Sequence, residues 1–263
     1  MEPDILILTV YFICMIYVVY QMALSVEAEL EDQVVLVPEK ESLEASVRAQ
    51  LERQGLAPDI AEVLMLAPPP LKPALALRLV LPEPRTFGPE PEEEVKGQIM
   101  VQVWPQGPHP LQPVQGLMVQ VLNQTQALQI TVDWDRSSIT RMNNQILRVI
   151  RHTPGMRLDL AVPQVTSEVH PNQLLSTAVT SEDAFGRNPE TQVLQITAPL
   201  IDVAKLASLP APVRGYSLDL VVQLTPLNGR GARQITLLLP FRFKVEPLPA
   251  RAAIPLVNWI AKR

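Results

Sequence analysis

The stretch "ITVDWDRSSI", residues 130–139, shows both the period of the fold and the densest group of polar side chains in the 263-residue chain. Over residues 128–135, apolar side chains alternate with polar ones, which is the period of a β-strand with one buried face. The pattern predicts that Trp134 points inward as a core anchor, because a large aromatic ring completes the apolar row. It also predicts that Asp133 faces outward.

The polar residues of this stretch are candidates for a metal or catalytic site. Asp133, Asp135 and Ser137 match the first three ligand positions of a calcium loop. However, Ser138 stands where that loop needs glycine, and Asn144 stands where a bidentate glutamate closes the shell. A carboxylate pair on one strand face also fits a hydrolase, so Asp133 and Asp135 are the alternative catalytic residues. We favour a structural interpretation, in which Asp135 and the two serines bond local backbone groups in a turn where the strand ends.

The same period of two recurs from about residue 74. Short segments rich in β-branched residues are separated by proline, glycine and asparagine turn signals. Nine strands are predicted, at 74–82, 97–105, 116–123, 127–135, 145–151, 157–162, 191–198, 216–224 and 233–245. This arrangement predicts a mainly β fold, an Ig-like antiparallel β-sandwich over residues 74–248.

The N-terminal segment 1–27 is predicted to be a transmembrane anchor. Residues 5–26 contain no charged residue. About 22 helical residues extend about 33 Å, enough to cross a hydrocarbon core of about 30 Å. A signal peptide cleaved after residue 25 or 28 is the alternative, which the acidic start and the long apolar run disfavour. Basic residues are absent before Lys40, so the side of the membrane on which the β domain lies stays open.

Residues 28–73 are predicted to form a helical neck and a proline-rich linker. Residues 42–54 repeat apolar side chains every four positions and end before Gly55, and residues 58–66 predict a second short helix. Together they make a short helical hairpin, whose apolar face either docks a partner or, as we favour, packs on the sandwich. The tail 249–263 is predicted to contain a short amphipathic helix that docks on the sandwich or touches a membrane.

Charge and motif content narrow the class of protein. The net charge of −5 and the pI near 5.3 argue against a nucleic-acid partner. Cys14 is the single cysteine, and no two histidines have metal-ligand spacing. The sequence contains no G-x-S-x-G, P-loop, G-x-G-x-x-G or H-E-x-x-H motif. "NQT" at 123–125 is a formal N-glycosylation triplet. We therefore expect no enzyme activity and no catalytic, cofactor-binding or metal-binding residue.

The run "NQTQALQITVDWDRSSITRMNNQILRVI", residues 123–150, resembles a pattern in uncharacterised bacterial β-sandwich proteins. In that pattern an asparagine-bearing strand end leads into an alternating strand that ends in Trp-Asp, followed by serines and a further strand. The glutamine-, leucine- and proline-rich composition with an N-terminal span is also similar to cyanobacterial membrane-anchored proteins. The resemblance implies a sandwich and transfers no catalytic residue.

These observations predict a single-pass membrane protein that has a protein partner and is not an enzyme. We expect a membrane-tethered interaction or scaffolding role, in the assembly or stability of a membrane protein complex. Strand faces, an exposed sheet edge and the proline-rich loops are the expected binding surfaces. The alternatives are an extracytoplasmic ligand-binding β-sandwich protein and a hydrolase that uses Asp133 and Asp135.

Overall fold

The computed structural model describes residues 3–31, 34–66, 74–82, 96–106, 114–142, 144–152, 159–191, 193–202, 206, 208–227 and 234–247. The helices are α1 (Pro3–Glu31) and α2 (Lys40–Arg53). The strands are β1 (Val34–Pro38), β2 (Ala61–Met65), β3 (Leu75–Pro82), β4 (Lys96–Gln106), β5 (Gly116–Gln124), β6 (Leu128–Thr140), β7 (Ile146–His152), β8 (Ser167–Val169), β9 (Gln173–Ser181), β10 (Phe185–Arg187), β11 (Leu194–Ile196), β12 (Gly215–Pro226) and β13 (Ile235–Pro247).

The chain divides into two compact units. One contains Met1–Val35 with Pro247–Arg263, and the other is Leu36–Glu246. In the first unit, α1 is apolar on every side over the described side chains, residues 8–22. Among the residues that are described, no helix is found that is long and apolar enough to cross a membrane. The predicted tail 249–263 lies outside the described residues.

The second unit is a curled antiparallel sheet, which confirms the mainly β prediction. Its strands follow the order β1-β13-β12-β6-β7-β9-β5-β4-β3-β2, and β8 also pairs with β6. β7 joins the two halves of this order, because its first residues pair with β6 and its last four, Val149–His152, pair with β9. The Ig-like arrangement of these strands stays a prediction.

β6 lies in the middle of the core. Ile130, Val132 and Trp134 are 0% exposed, so the inward row expected from the sequence is confirmed. The adjoining rows in the same sheet come from β12 and β13, where leucine, valine and phenylalanine occupy every second position and are buried. Burial of these rows supplies the main driving force for folding, at about 25 cal/mol per Å² of apolar surface.

α2 bridges β2, at one end of the sheet order, and β13, the strand next to β1 at the other end. Its apolar residues Leu43, Val47 and Leu51 are buried, and the helix contacts β2. On its other side, Gln50 bonds the backbone of Leu238 in β13 through both amide atoms: Nε2 donates to the carbonyl at 2.6 Å and Oε1 accepts from the N–H at 2.8 Å. The predicted packing of this helix on the sheet is therefore confirmed, and its Gln50 amide occupies backbone groups of β13 that would otherwise be open to a partner strand.

Several predicted elements are wrong. Residues 58–66 do not form the second helix of a hairpin; Pro58–Ile60 is a single 3₁₀ turn and Ala61–Met65 is strand β2, because pairing with β3 overrides the helix-forming residues. The predicted neck therefore contains β1 and β2, two strands of the main sheet. The described end of the predicted strand 157–162 is a turn, in which Asp159 accepts a bond from the N–H of Ala161.

Candidate functional site

The predicted turn after Asp135 is wrong, because β6 continues through the serines to Thr140. Asp133 pairs with Val221 of β12, and five residues later Ser138 pairs with Asp219. Four residues of β6 therefore oppose one residue of β12, which is a special β-bulge with more than one extra residue. The buried hydroxyl of Ser137 fills this bulge: it accepts from the N–H of Val221 at 3.0 Å and donates to the carbonyl of Asp133 at 2.5 Å. Its role is to satisfy backbone groups that the bulge leaves unpaired.

Asp133 takes part in the same bulge. One carboxylate oxygen accepts a hydrogen bond from the N–H of Arg136 at 3.1 Å, and the residue is half-buried. The outward orientation expected for Asp133 is consistent with this exposure. Its described hydrogen bond is a local Asx-type bond within its own strand, a bonding mode that the sequence analysis assigned to Asp135 and the two serines.

Asp135 takes part in a hydrogen-bond network that holds the segment between β7 and β8 against the sheet. Its Oδ1 accepts bonds from Arg148 Nε at 3.0 Å and Nη2 at 2.5 Å, and its Oδ2 accepts from the N–H of Gln164 at 2.9 Å. The same guanidinium donates to the carbonyls of Leu160 at 2.9 Å and Val162 at 3.0 Å. The carboxylate thus accepts these three hydrogen bonds, and the Arg148 guanidinium that it binds donates two more to the segment between β7 and β8.

The indole of Trp134 is connected to the same segment. Its Nε1 donates to Ser167 Oγ at 2.9 Å, and this oxygen also accepts from Arg151 Nη1 at 2.7 Å. The N–H of Arg151 donates to Oε1 of Gln164 at 2.8 Å. Trp134 is therefore a core anchor with a satisfied polar atom, as a buried tryptophan requires.

The pKa values of Asp135 and Asp219 are shifted in opposite directions. Burial raises the pKa of Asp135, but the hydrogen bonds from Arg148 and Gln164 outweigh it and hold the pKa below its ordinary value of 3.8. Burial raises the pKa of Asp219, opposite Ser138, and the positive charge of Arg242 only partly offsets it. A lowered pKa suits a structural ion pair and does not suit a general acid, which needs a raised one.

Two other polar groups are also structural. Asn123 is completely buried and donates from its amide to the carbonyls of Leu128 at 2.8 Å and Val169 at 3.1 Å, so the formal glycosylation triplet is inaccessible in the fold. Arg141 binds Asp183 at 2.7 Å and Ser181 at 2.8 Å.

Within the described residues, no group of three or more His, Cys, Asp or Glu side chains is placed to hold a metal ion.

A different surface stands out on the outer face of β4, β5 and β9, which the sequence reasoning missed. In β4 and β5 the inward positions are fully buried, and the outward ones alternate between an apolar residue and glutamine. Strand pairing aligns them into rows across the strands: Trp104–Met118–Ala178, then Gln102–Gln120–Ser176, then Met100–Leu122–Leu174, then Gln98–Gln124. We call this surface the striped face.

The striped face contains no charge. Residues 97–106, 116–124 and 173–181 lack Asp, Glu, Lys and Arg altogether. The nearest described ion pair, between Arg78 and Glu62, lies on the neighbouring strands β3 and β2. The sequence signal was available in "QIMVQVWPQ" and "GLMVQVLNQ", where the outward positions carry glutamine every fourth residue and no charge.

Comparison with protein-family models, with curated proteins and with solved structures yields no match for this chain.

Proposed function

We propose that this protein is a non-enzymatic, membrane-tethered interaction or scaffolding protein that assists the assembly or stability of a membrane protein complex. The transmembrane role of α1, the single-pass location and the Ig-like arrangement of the sheet belong to the same proposal. The resemblance to N-terminally anchored bacterial β-sandwich proteins is consistent with it.

The observation that supports the membrane tether is the exposure of the apolar side chains of α1. Its twelve large apolar side chains between Leu8 and Met22 are 47–68% exposed. Successive helical residues are about 100° apart, so these side chains cover every side of the helix. A helix that is apolar all round is stable only when lipid or a larger protein covers it.

The observation that supports a non-enzymatic role is the bonding of the acids. Asp135 is engaged by Arg148 and Gln164, and Asp133 bonds its own strand. These bonds favour the scaffold over the hydrolase alternative, because a catalytic carboxylate must be free to meet a substrate. The ligand-binding alternative requires cleavage after residue 25 or 28, which the mass of the mature N-terminus tests.

The tether is tested by floating the full-length chain with phospholipid vesicles on a density gradient. Ile16→Arg places a charge in the middle of α1, where it costs about 2.5–3.5 kcal/mol in a membrane. Ile146→Arg is the matched control, because Ile16 and Ile146 are 68% and 70% exposed. We expect the wild type and Ile146→Arg to float, and Ile16→Arg to float less. Equal flotation of all three contradicts the tether.

A further inference from the structure

We infer that the striped face binds the striped face of a second copy of this chain, so that two tethered chains form a two-fold dimer. This inference rests on the proposed function, because anchoring in one membrane concentrates the copies. It names the partner that the scaffold role leaves open.

The order of the rows makes the face complementary to itself. The glutamine row Gln102–Gln120–Ser176 lies between two apolar rows, one led by Trp104 and one led by Met100. A two-fold axis along that glutamine row places each Gln120 opposite its own copy. It also places the row of Trp104 over the row of Met100 of the other copy, so apolar side chains meet apolar side chains.

The lack of charge on the striped face also favours a second copy of the chain as the partner. In a two-fold interface each residue near the axis meets its own copy, so a charge there meets a like charge. A face without charge avoids this repulsion and leaves no buried ion unpaired. Glutamine has both a donor and an acceptor, so one amide satisfies an identical one across the axis.

The size of the face fits a weak, transient dimer. Three strands at about 4.8 Å spacing and seven residues at about 3.4 Å rise give about 14 Å by about 24 Å, or about 350 Å² per copy. Two copies bury about 700 Å², which is the size of a weak, transient complex. Leu174, at one end of an apolar row, is 55% exposed, so covering it removes apolar surface from water.

The test uses the full-length chain in detergent, with light scattering over a range of protein concentrations. Gln120→Glu and Gln120→Lys each place like charges across the axis, and Gln223→Glu on the outer face of β12 is the matched control. We expect a dimer for the wild type and for Gln223→Glu, and at least tenfold weaker dimerisation for each Gln120 variant. A mixture of Gln120→Glu with Gln120→Lys restores the dimer, because each glutamate then meets a lysine.

A monomeric wild type at every concentration overturns the inference, as does a dimer that the Gln120 variants leave unchanged. A dimer that weakens equally in Gln223→Glu also overturns it, because the effect is then not specific to the striped face. None of these outcomes depends on flotation, so the dimer and the tether fail independently. Circular dichroism of each variant confirms that the sheet is intact.

Discussion

Asp133 and Asp135 are two positions apart in β6 and have the same functional group, but their surroundings give them different roles. Asp133 bonds a neighbouring backbone N–H. Asp135 joins a guanidinium and a backbone N–H from elsewhere in the sequence. Long-range bonding of a charged group contributes more to stability than a local bond, because its loss leaves several partly buried donors without an acceptor.

We therefore expect Asp135→Asn to destabilise the protein much more than Asp133→Asn. The first change removes the charge that Arg148 binds and places an NH₂ donor against either Arg148 or the N–H of Gln164, a loss of about 1–2 kcal/mol. The second keeps an acceptor oxygen for Arg136 and changes stability by less than about 0.5 kcal/mol. Urea unfolding of both variants at pH 7 measures the difference.

The effect of Asp135→Asn also depends on pH. The folded state holds the pKa of Asp135 below its unfolded value, so this carboxylate stabilises the fold above about pH 4. That stability is lost as the pH falls through the lowered pKa. The difference between wild type and Asp135→Asn should therefore shrink in acid. Equal destabilisation by both aspartate variants at pH 7 contradicts the assigned roles.

At the scale of elements, α2 protects the edge of the sheet. The Gln50 amide bonds both backbone groups of Leu238, and Gln54 Nε2 donates to the carbonyl of Thr236 at 2.8 Å. Two glutamines on one side of a helix thus replace part of a neighbouring strand. The exposed sheet edge expected as a binding surface is therefore covered at this part of β13.

Gln50→Ala should open this edge. The change removes two hydrogen bonds and lowers the free energy of unfolding by about 1 kcal/mol, a small loss because the site is exposed. The backbone amide of Leu238 also becomes accessible to water. We expect faster hydrogen exchange at Leu238, measured by mass spectrometry of the peptide that contains it. Glu52→Ala, at an exposed position of the same helix, is the control and should leave this exchange unchanged. Unchanged exchange in Gln50→Ala contradicts the protective role.

The elements also show what the sequence alone can predict. Clear alternation predicted β5 and the buried row of β6, and Gly55 marked the end of α2 with a positive φ of 77°. β9 was missed because its small polar residues between Gln173 and Ser181 hide the period of two. The bulge at Ser137 was also unpredictable, since it is fixed by pairing with Val221, 84 residues away.

At the scale of the whole molecule, the described polar clusters hold the fold together, and the two surfaces proposed for function carry no charged side chain in their described parts. α1 is apolar on all sides, and the striped face has no charge. Such surfaces on one chain are typical of a protein that works by binding. The candidate residues of "ITVDWDRSSI" therefore serve the architecture, and the proposed function depends on the tether and the striped face.

Cys14, the single cysteine, provides the most direct test of the tether in the unmodified chain. A water-soluble maleimide reacts with cysteines that water reaches and does not enter the hydrocarbon core of a membrane. With the full-length chain in phospholipid vesicles, we expect no labelling of Cys14 until the membrane is dissolved and the chain denatured. Thr236→Cys, at an exposed position of the sheet, should label from the start where its side of the vesicle is open to the reagent. Rapid labelling of Cys14 in intact vesicles would contradict the account.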